Sequence, residues 1–419
     1  MEVSMMKPAE FSFPEMYRVD QLFPDTGIKD ICGEVRRLLE GFNLKQRTWV
    51  GQSVAVCVAS RGTHDLKDLV ATTVTHLVQA GLKPFITPAM GSHGAATGEG
   101  QAMVLRGLGI TEEFTGVPIR ATMEVASLGR VDEGPEIFTA VDALQADHIV
   151  VINRVKPHTG FHSDVESGLC KILAIGLGRQ VGAGNMHRYD LARCIVPAAS
   201  RILEKTSVLF GLAVTENALG GTHSMRLAGP AEFASTDREL LTEARELLPR
   251  LPVDCLDVLI VEKIGKNISG AGMDPNVVGF WRRGGGERKP DYRVLAVLDL
   301  TPESHGNAIG IGLADVTTKT FAEKIDWDAT YKNALSSKRF TGVRLPMVRD
   351  NDVLALQAAL GPVVDPMKAR VGRIISTADL KTFWVSEPVL SQLIDKPNLI
   401  LHRAPLRFTF DHQGRLKPF

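Results

Sequence analysis

The sequence predicts an α/β protein of two αβ lobes: a Rossmann-like N-terminal domain, a smaller α/β C-terminal domain, and an active site in the cleft between them. Three observations carry this expectation. Residues 53–87 run strand, helix, strand, the order of a parallel β-α-β unit. A second αβ pattern starts at the apolar run of residues 257–261 and leads into the glycine-rich stretch G-K-N-I-S-G-A-G-M-D-P-N-V-V-G. Between the two, residues 249–254 are bounded by Pro and Asp, as a linker would be. The implied domains are residues 1–250 and 251–395, with residues 396–419 a tail or hairpin expected to return to the first.

The elements follow in order. Residues 1–27 hold aromatics and prolines without periodicity and are expected to wrap the surface. Residues 28–39 have helical spacing, with Ile28, Ile31, Val35, Leu38 and Leu39 on one face. After the strand at 53–58, Asp65 is placed to cap a helix reaching about Ala80, with Leu66, Leu69, Val70, Val74 and Leu77 inward. Further strands are expected at 119–123, 148–152 and 207–214, and helices at 138–144, 188–203 and 231–247. In the second lobe the spacing predicts a strand at 294–300, helices at 321–335 and 352–360, and a hairpin over 406–418.

Composition narrows the function classes. Lys+Arg and Asp+Glu balance at 48 each, which leaves no electrostatic footprint for nucleic acid or an anionic membrane. No apolar run approaches the roughly 20 residues that span a bilayer. The first residues lack an apolar signal core. The cysteines, Cys32, Cys57, Cys170, Cys194 and Cys255, form no C-x-x-C pair. Dispersed thiols of odd number fit a reducing compartment, and the expected location is the cytoplasm.

Chemistry concentrates in residues 154–188, which follow the buried-looking strand at 148–152. Lys171 lies in the apolar run of residues 169–175, where desolvation would favour a neutral, nucleophilic amine. The same position also suits a lysine whose stem packs on apolar surface while its head reaches water. His187 is placed at the opening of a helix, where the dipole disfavours imidazolium and leaves a neutral ring for a metal, with Asn185 the better cap. His158 and His162 are four apart, with Asp164 and Glu166 behind them. On a helix that would be a zinc pair, but Pro157 and Gly160 oppose a helix, and His158 is better read as a strand-end acid/base. The glycine run of residues 176–184 does not fit G-x-G-x-x-G. It is expected to form a flexible bed for a phosphate, with Gly176, Gly178 and Arg179 contributing. Two loops of the first β-α-β unit should lie side by side at its edge. One carries Arg61, suited to an anion, and the other carries His93 between glycines.

These residues together resemble the nickel-pincer-dependent lactate racemase superfamily, with this chain a divergent member. Lys171 and His187 are sixteen residues apart, as are the lysine and nickel histidine of that family. G-S-H-G at His93 and K-P-H-T-G-F at His158 match the positions of its two catalytic histidines, and residues 272–279 resemble its second-domain loop, with Arg282 at a cationic position. The resemblance implies a nickel-pincer nucleotide (a pyridinium mononucleotide with two sulfur-containing groups) tethered to Lys171, with nickel on His187. It also implies a 2-hydroxy acid substrate, such as a sugar acid, bound through Arg61 and Arg282. Its α-carbon would be racemised or epimerised by hydride exchange with that nucleotide as His93 or His158 handles the hydroxyl proton. Cofactor-maturation enzymes would be needed as partners. Departures are also visible. Val58 stands where the family's racemase has an acid, and the gap from His158 to Lys171 is thirteen residues, about three longer than there. Trp281 and Trp327 only approach the substrate-contacting aromatic positions, and His162 competes with His158 for the second acid/base role. The competing functions are a zinc hydrolase using His158 and His162, and a non-catalytic small-molecule binding protein of the same fold.

Overall fold

The structure is a computed structural model that describes residues 11–60 and 63–419. The chain divides into two compact α/β units, residues 24–248 and residues 249–419, and the second also takes residues 11–23. Strand β1 (Met16–Gln21) is the reason for that last assignment, because its partners come from the far end of the chain. The expectation that residues 1–27 wrap the surface therefore fails for this stretch. Six residues of mixed polarity are enough for a strand once partners exist on both sides.

In residues 24–248 the strands are β2 (Ser53–Val58), β3 (Lys83–Pro88), β4 (Val125–Arg130), β5 (Glu136–Ala140), β6 (His148–Arg154), β7 (Val208–Glu216) and β8 (Thr222–Ala228). They form a five-stranded sheet in the order β3-β2-β6-β7-β8, parallel except for β8, and a separate β4-β5 hairpin. Alternation along β2 sends Ala55 and Cys57 to one face and Val54, Val56 and Val58 to the other, and both faces are covered, as a parallel sheet requires. One face packs α1 (Ile31–Phe42) and α2 (Leu66–Gln79), joined at their edge by Leu105 of α3 (Gly98–Gly107). The other receives Leu169 and Cys170, together with the helices Leu191–Lys205 and Phe233–Leu247. Asp65 does precede α2, but its carboxylate accepts from Thr222 rather than capping the helix. The expected helix over 138–144 is a misreading: Phe138 lies in β5, and only Val141–Leu144 is helical, because pairing with β4 outweighs the apolar spacing. Of the expected strand at 119–123 only an Ile86–Ile119 bridge forms.

Residues 249–419 supply β9 (Val258–Ile264), β10 (Val294–Leu300), β11 (Val316–Thr318), β12 (Met347–Arg349), β13 (Val371–Ile374), β14 (Thr382–Ser386) and β15 (Leu399–Leu401). With β1 they make an eight-stranded sheet, β12-β11-β10-β9-β13-β14-β1-β15, parallel from β12 to β13 and antiparallel beyond. The expected helix over 321–335 is two, Lys319–Glu323 and Trp327–Ser337, the second restarted by an Asp326 cap. The tail belongs to this unit instead of returning to the N-terminal one. Phe408, Phe410, Leu416 and Phe419 pack on its core, and the Arg373 guanidinium lies 4.1 Å from the Phe419 ring centroid. Among the described residues, no helix is long and apolar enough to cross a membrane.

Candidate active site at the carboxyl edge of the five-stranded sheet

The order β3-β2-β6, all parallel, sets three strand-end loops side by side at one edge. The middle loop carries Arg61, which lies outside the described residues. The outer two carry His93 and His158.

His93 follows β3 in an exposed, extended conformation. The turn after it needs glycine: Gly94 has φ +63°, and a Cβ there would come within 2.5 Å of the Gln101 nitrogen. Thr97 then caps α3 by accepting from the Gly100 N–H. The loop is tied to the Lys171 segment by the Gly91 N–H, which donates to the Gly176 carbonyl at 3.0 Å.

His158 sits in a loop organised by Glu166, whose side chain is fully buried. The Glu166 carboxylate accepts from the His158 N–H at 2.7 Å and the Ser163 N–H at 2.9 Å, and pairs with Arg245 at 2.6 Å. The Gly160 N–H donates to His158 Nδ1, so the neutral ring carries its proton on Nε2. Phe161 packs beside the ring, centroids 4.4 Å apart. His162 is exposed in the same irregular segment. The zinc alternative loses its basis here. There is no helix to align the two rings, Glu166 is committed to Arg245, and Asp164 pairs with Arg238 at 2.6 Å. Among the described residues no group of three His, Cys, Asp or Glu side chains could hold a metal ion.

Lys171 lies on a short α-turn, Leu169–Lys171, that runs into a π-helical turn, Ile172–Gly176. Such a turn accommodates an extra residue and recurs at functional sites. Its neighbours are buried and Lys171 is half-buried, so the apolar setting read from the sequence holds. The start of the turn rests on a residue the sequence reading missed. Asp237, fully buried on α6 (Phe233–Leu247), accepts from the Leu169 and Cys170 N–H groups, both at 2.8 Å. Burial pushes the Asp237 carboxyl up to about 7, against the opposing pull of those two hydrogen bonds. Gly168 allows the approach: its φ is +88°, and a Cβ would meet the Asp237 carboxylate at 2.0 Å. The signal was present as a carboxylate in the buried stripe of Phe233, Asp237, Leu240, Leu241 and Ala244.

The glycine run is not a loop. After the π-turn it forms α4 (Arg179–Met186), followed by α5 (Leu191–Lys205). A Cβ on Gly176 would lie 2.4 Å from the Ala89 carbonyl oxygen, and one on Gly178 would lie 2.8 Å from Gly182. These glycines serve close packing, and no bed for a phosphate is formed. Arg179 is likewise withdrawn from ligand binding. It is fully buried and donates to Thr87, Pro88 and Gln101, with Asp142 3.3 Å away. His187 closes α4 instead of opening the next helix, so the dipole at this end favours positive charge, reversing the sequence expectation. Its tautomer is set by another contact. Nδ1 lies 2.6 Å from the Ala183 carbonyl, which can only accept, so Nδ1 carries a proton and the lone pair of the neutral ring is on Nε2. Asn185 caps nothing and donates to the Glu136 carbonyl.

In the second unit, Arg282 is bound to Asp315 at 2.7 Å and to the Leu313 and Arg293 carbonyls, with its guanidinium 4.9 Å from the Trp281 and Tyr292 rings. That commitment corrects its assignment as a substrate arginine. Trp281 donates to the Pro290 carbonyl, and Trp327 is partly exposed against Tyr331. Neighbouring Arg283 is the cation under stress: burial, then the charge of Arg339, lowers it to about 10.

No protein-family model matches the chain, and no curated protein matches it in sequence. The fold is shared with solved structures. A protein from Thermotoga maritima superposes with a TM-score of 0.50 at 14% identity, over 76% of this chain and 87% of that one. The lactate racemase apoprotein from Thermoanaerobacterium thermosaccharolyticum does so with a TM-score of 0.50 at 13% identity, over 86% of this chain and 98% of that one. At these identities the likeness is one of fold.

Proposed function

We propose that this protein is an isomerase that racemises or epimerises a 2-hydroxy acid, sugar acids included. It would use a nickel-pincer nucleotide carried on Lys171, with His187 as the nickel ligand from the protein. The observation that carries the reading is the joining of the His93 loop to the Lys171 turn at the sheet edge that also bears His158. Lys171 and His187 suit the group. The chain gathers no three-residue metal cluster among the described residues, and a metal held mainly by sulfur donors of a bound nucleotide needs a single protein ligand. His187 offers one, with its lone pair on Nε2.

When bound, the cofactor would supply a reversible hydride acceptor, which a non-activated α-carbon requires. The chain's own groups do the rest. His93 takes the hydroxyl proton of one enantiomer, and His158, holding its proton at Nε2, donates to the substrate oxygen from the other side. Loading the protein would need enzymes that make the nucleotide. The test is to incubate loaded protein with single enantiomers of 2-hydroxy acids in D2O. Racemisation with hydrogen retained at the α-carbon is expected, and deuterium gained at that carbon overturns the hydride route.

A further inference from the structure

Midway between Lys171 and His187 the chain turns one fully buried cation back beneath the sheet edge. We propose that Arg179 and Gln101 form a brace that fixes the His93 loop against the Lys171–His187 segment, which makes both of them positioning residues. The inference rests on the reading of His93 and Lys171 as parts of one site.

The brace can be followed bond by bond. Arg179 Nη1 donates to the carbonyl of Pro88, the last residue of β3, and to Gln101 Oε1 at 2.9 Å. Its Nη2 donates to Thr87 Oγ1 at 2.8 Å and lies 3.3 Å from Asp142, which offsets the cost of burying the charge. A guanidinium only donates, so Gln101 must present its oxygen to Arg179 and its NH2 to the other side. There Nε2 donates to the Gly91 carbonyl at 2.8 Å and to the His93 carbonyl at 3.3 Å. The Gly91 N–H to Gly176 carbonyl bond closes the ring. The loop is thus gripped at two carbonyls through Gln101 and at one N–H through the π-turn.

The backbone adds an independent sign. Arg179 has φ +52°, in the left-handed region that non-glycine residues rarely take, inside a run where glycines are abundant. Glycine would relieve that strain but would lose the side chain. Gln101 is as buried as Arg179, at 0% exposure, so neither residue serves solvent.

The test uses the full chain without cofactor, so its failure is separable from failure of the functional reading, which shows as absence of an adduct on Lys171. Gln101→Glu keeps an acceptor for Arg179 and removes the donor to the Gly91 and His93 carbonyls. We expect amide exchange at residues 91–94 to rise by about tenfold or more, with the thermal midpoint held within a few degrees. The reaction of His93 with diethyl pyrocarbonate should change severalfold in the same variant. In loaded protein, kcat should fall with KM little changed. Unaltered exchange and unaltered His93 reactivity overturn the brace. A measurement on the unsubstituted protein stands even if the variant does not fold. Amides of residues 91–94 and 180–183 should share one opening constant, and loop opening faster than the helix by about tenfold or more contradicts the proposal.

Discussion

At the carboxyl ends of β3 and β6, buried charges hold loops whose histidines remain at the surface. At the carboxyl ends of β9 and β10, equally glycine-rich loops consume their polar groups on one another. In the first region Arg179, Glu166 and Asp237 lie inside, and His93, His158 and Lys171 are left exposed or half-buried. In the second, Thr301 donates to Asn267 at 2.7 Å and Lys266 reaches Asn333 at 2.8 Å. A glycine-rich strand-end loop is therefore not by itself a site. What separates the two regions is whether the charged groups support the loops from below or bind them to each other.

Substitutions can break that contrast, and the largest effect is expected at Arg179. Arg179→Ala strands Asp142 in the interior and should cost about 3–5 kcal/mol by chemical denaturation. A loss under about 1 kcal/mol would mean the cation is not a keystone. Asp237→Asn comes next, at about 1–3 kcal/mol, because an amide NH2 would face one of the two backbone N–H groups. It should also alter the pH dependence. With the folded carboxyl near 7 and the unfolded one at 3.8, the contribution of Asp237 to stability is full below the unfolded value and is lost as pH rises through about 7. Unfolding at about pH 5 and about pH 8 should show that slope in the parent and not in the variant. Arg282→Ala should cost about 1–2 kcal/mol through its Asp315 and ring contacts at the amino end of β10 and leave racemisation intact. The smallest effect on stability is expected for His93→Ala, within about 0.5 kcal/mol of the parent, with loss of activity in the loaded protein.

Much of the scaffold was legible in the chain. The strand at 53–58 and the helix at 352–360 match residue for residue, because each is a largely apolar run bounded by polar residues, the helix starting at the Asn351 cap. β1, β8, β13 and β14 were not read. They are short or polar; β1, β13 and β14 take their strand character from partners far along the chain, and β8 takes it from β7 just before it. At the site, local setting and the family resemblance singled out Lys171, His187, His93 and His158, but not the supports Gln101 and Asp237. Gln101 and Asp237 act on loops at distances in sequence of 8 to 10 and 67 to 68 residues; a carboxylate in an apolar stripe marks Asp237, but nothing local ties either residue to its loop. The glycine run misled for the same reason: what Gly176 and Gly178 pack against, Ala89 and Phe138, is set by the fold.

The most direct test of the central claim is intact mass with metal analysis on protein co-expressed with pincer-synthesis enzymes. The account predicts an added mass that maps to Lys171, and nickel that is lost in His187→Ala while the adduct remains. An unmodified Lys171, under conditions that load a known lactate racemase, would contradict it.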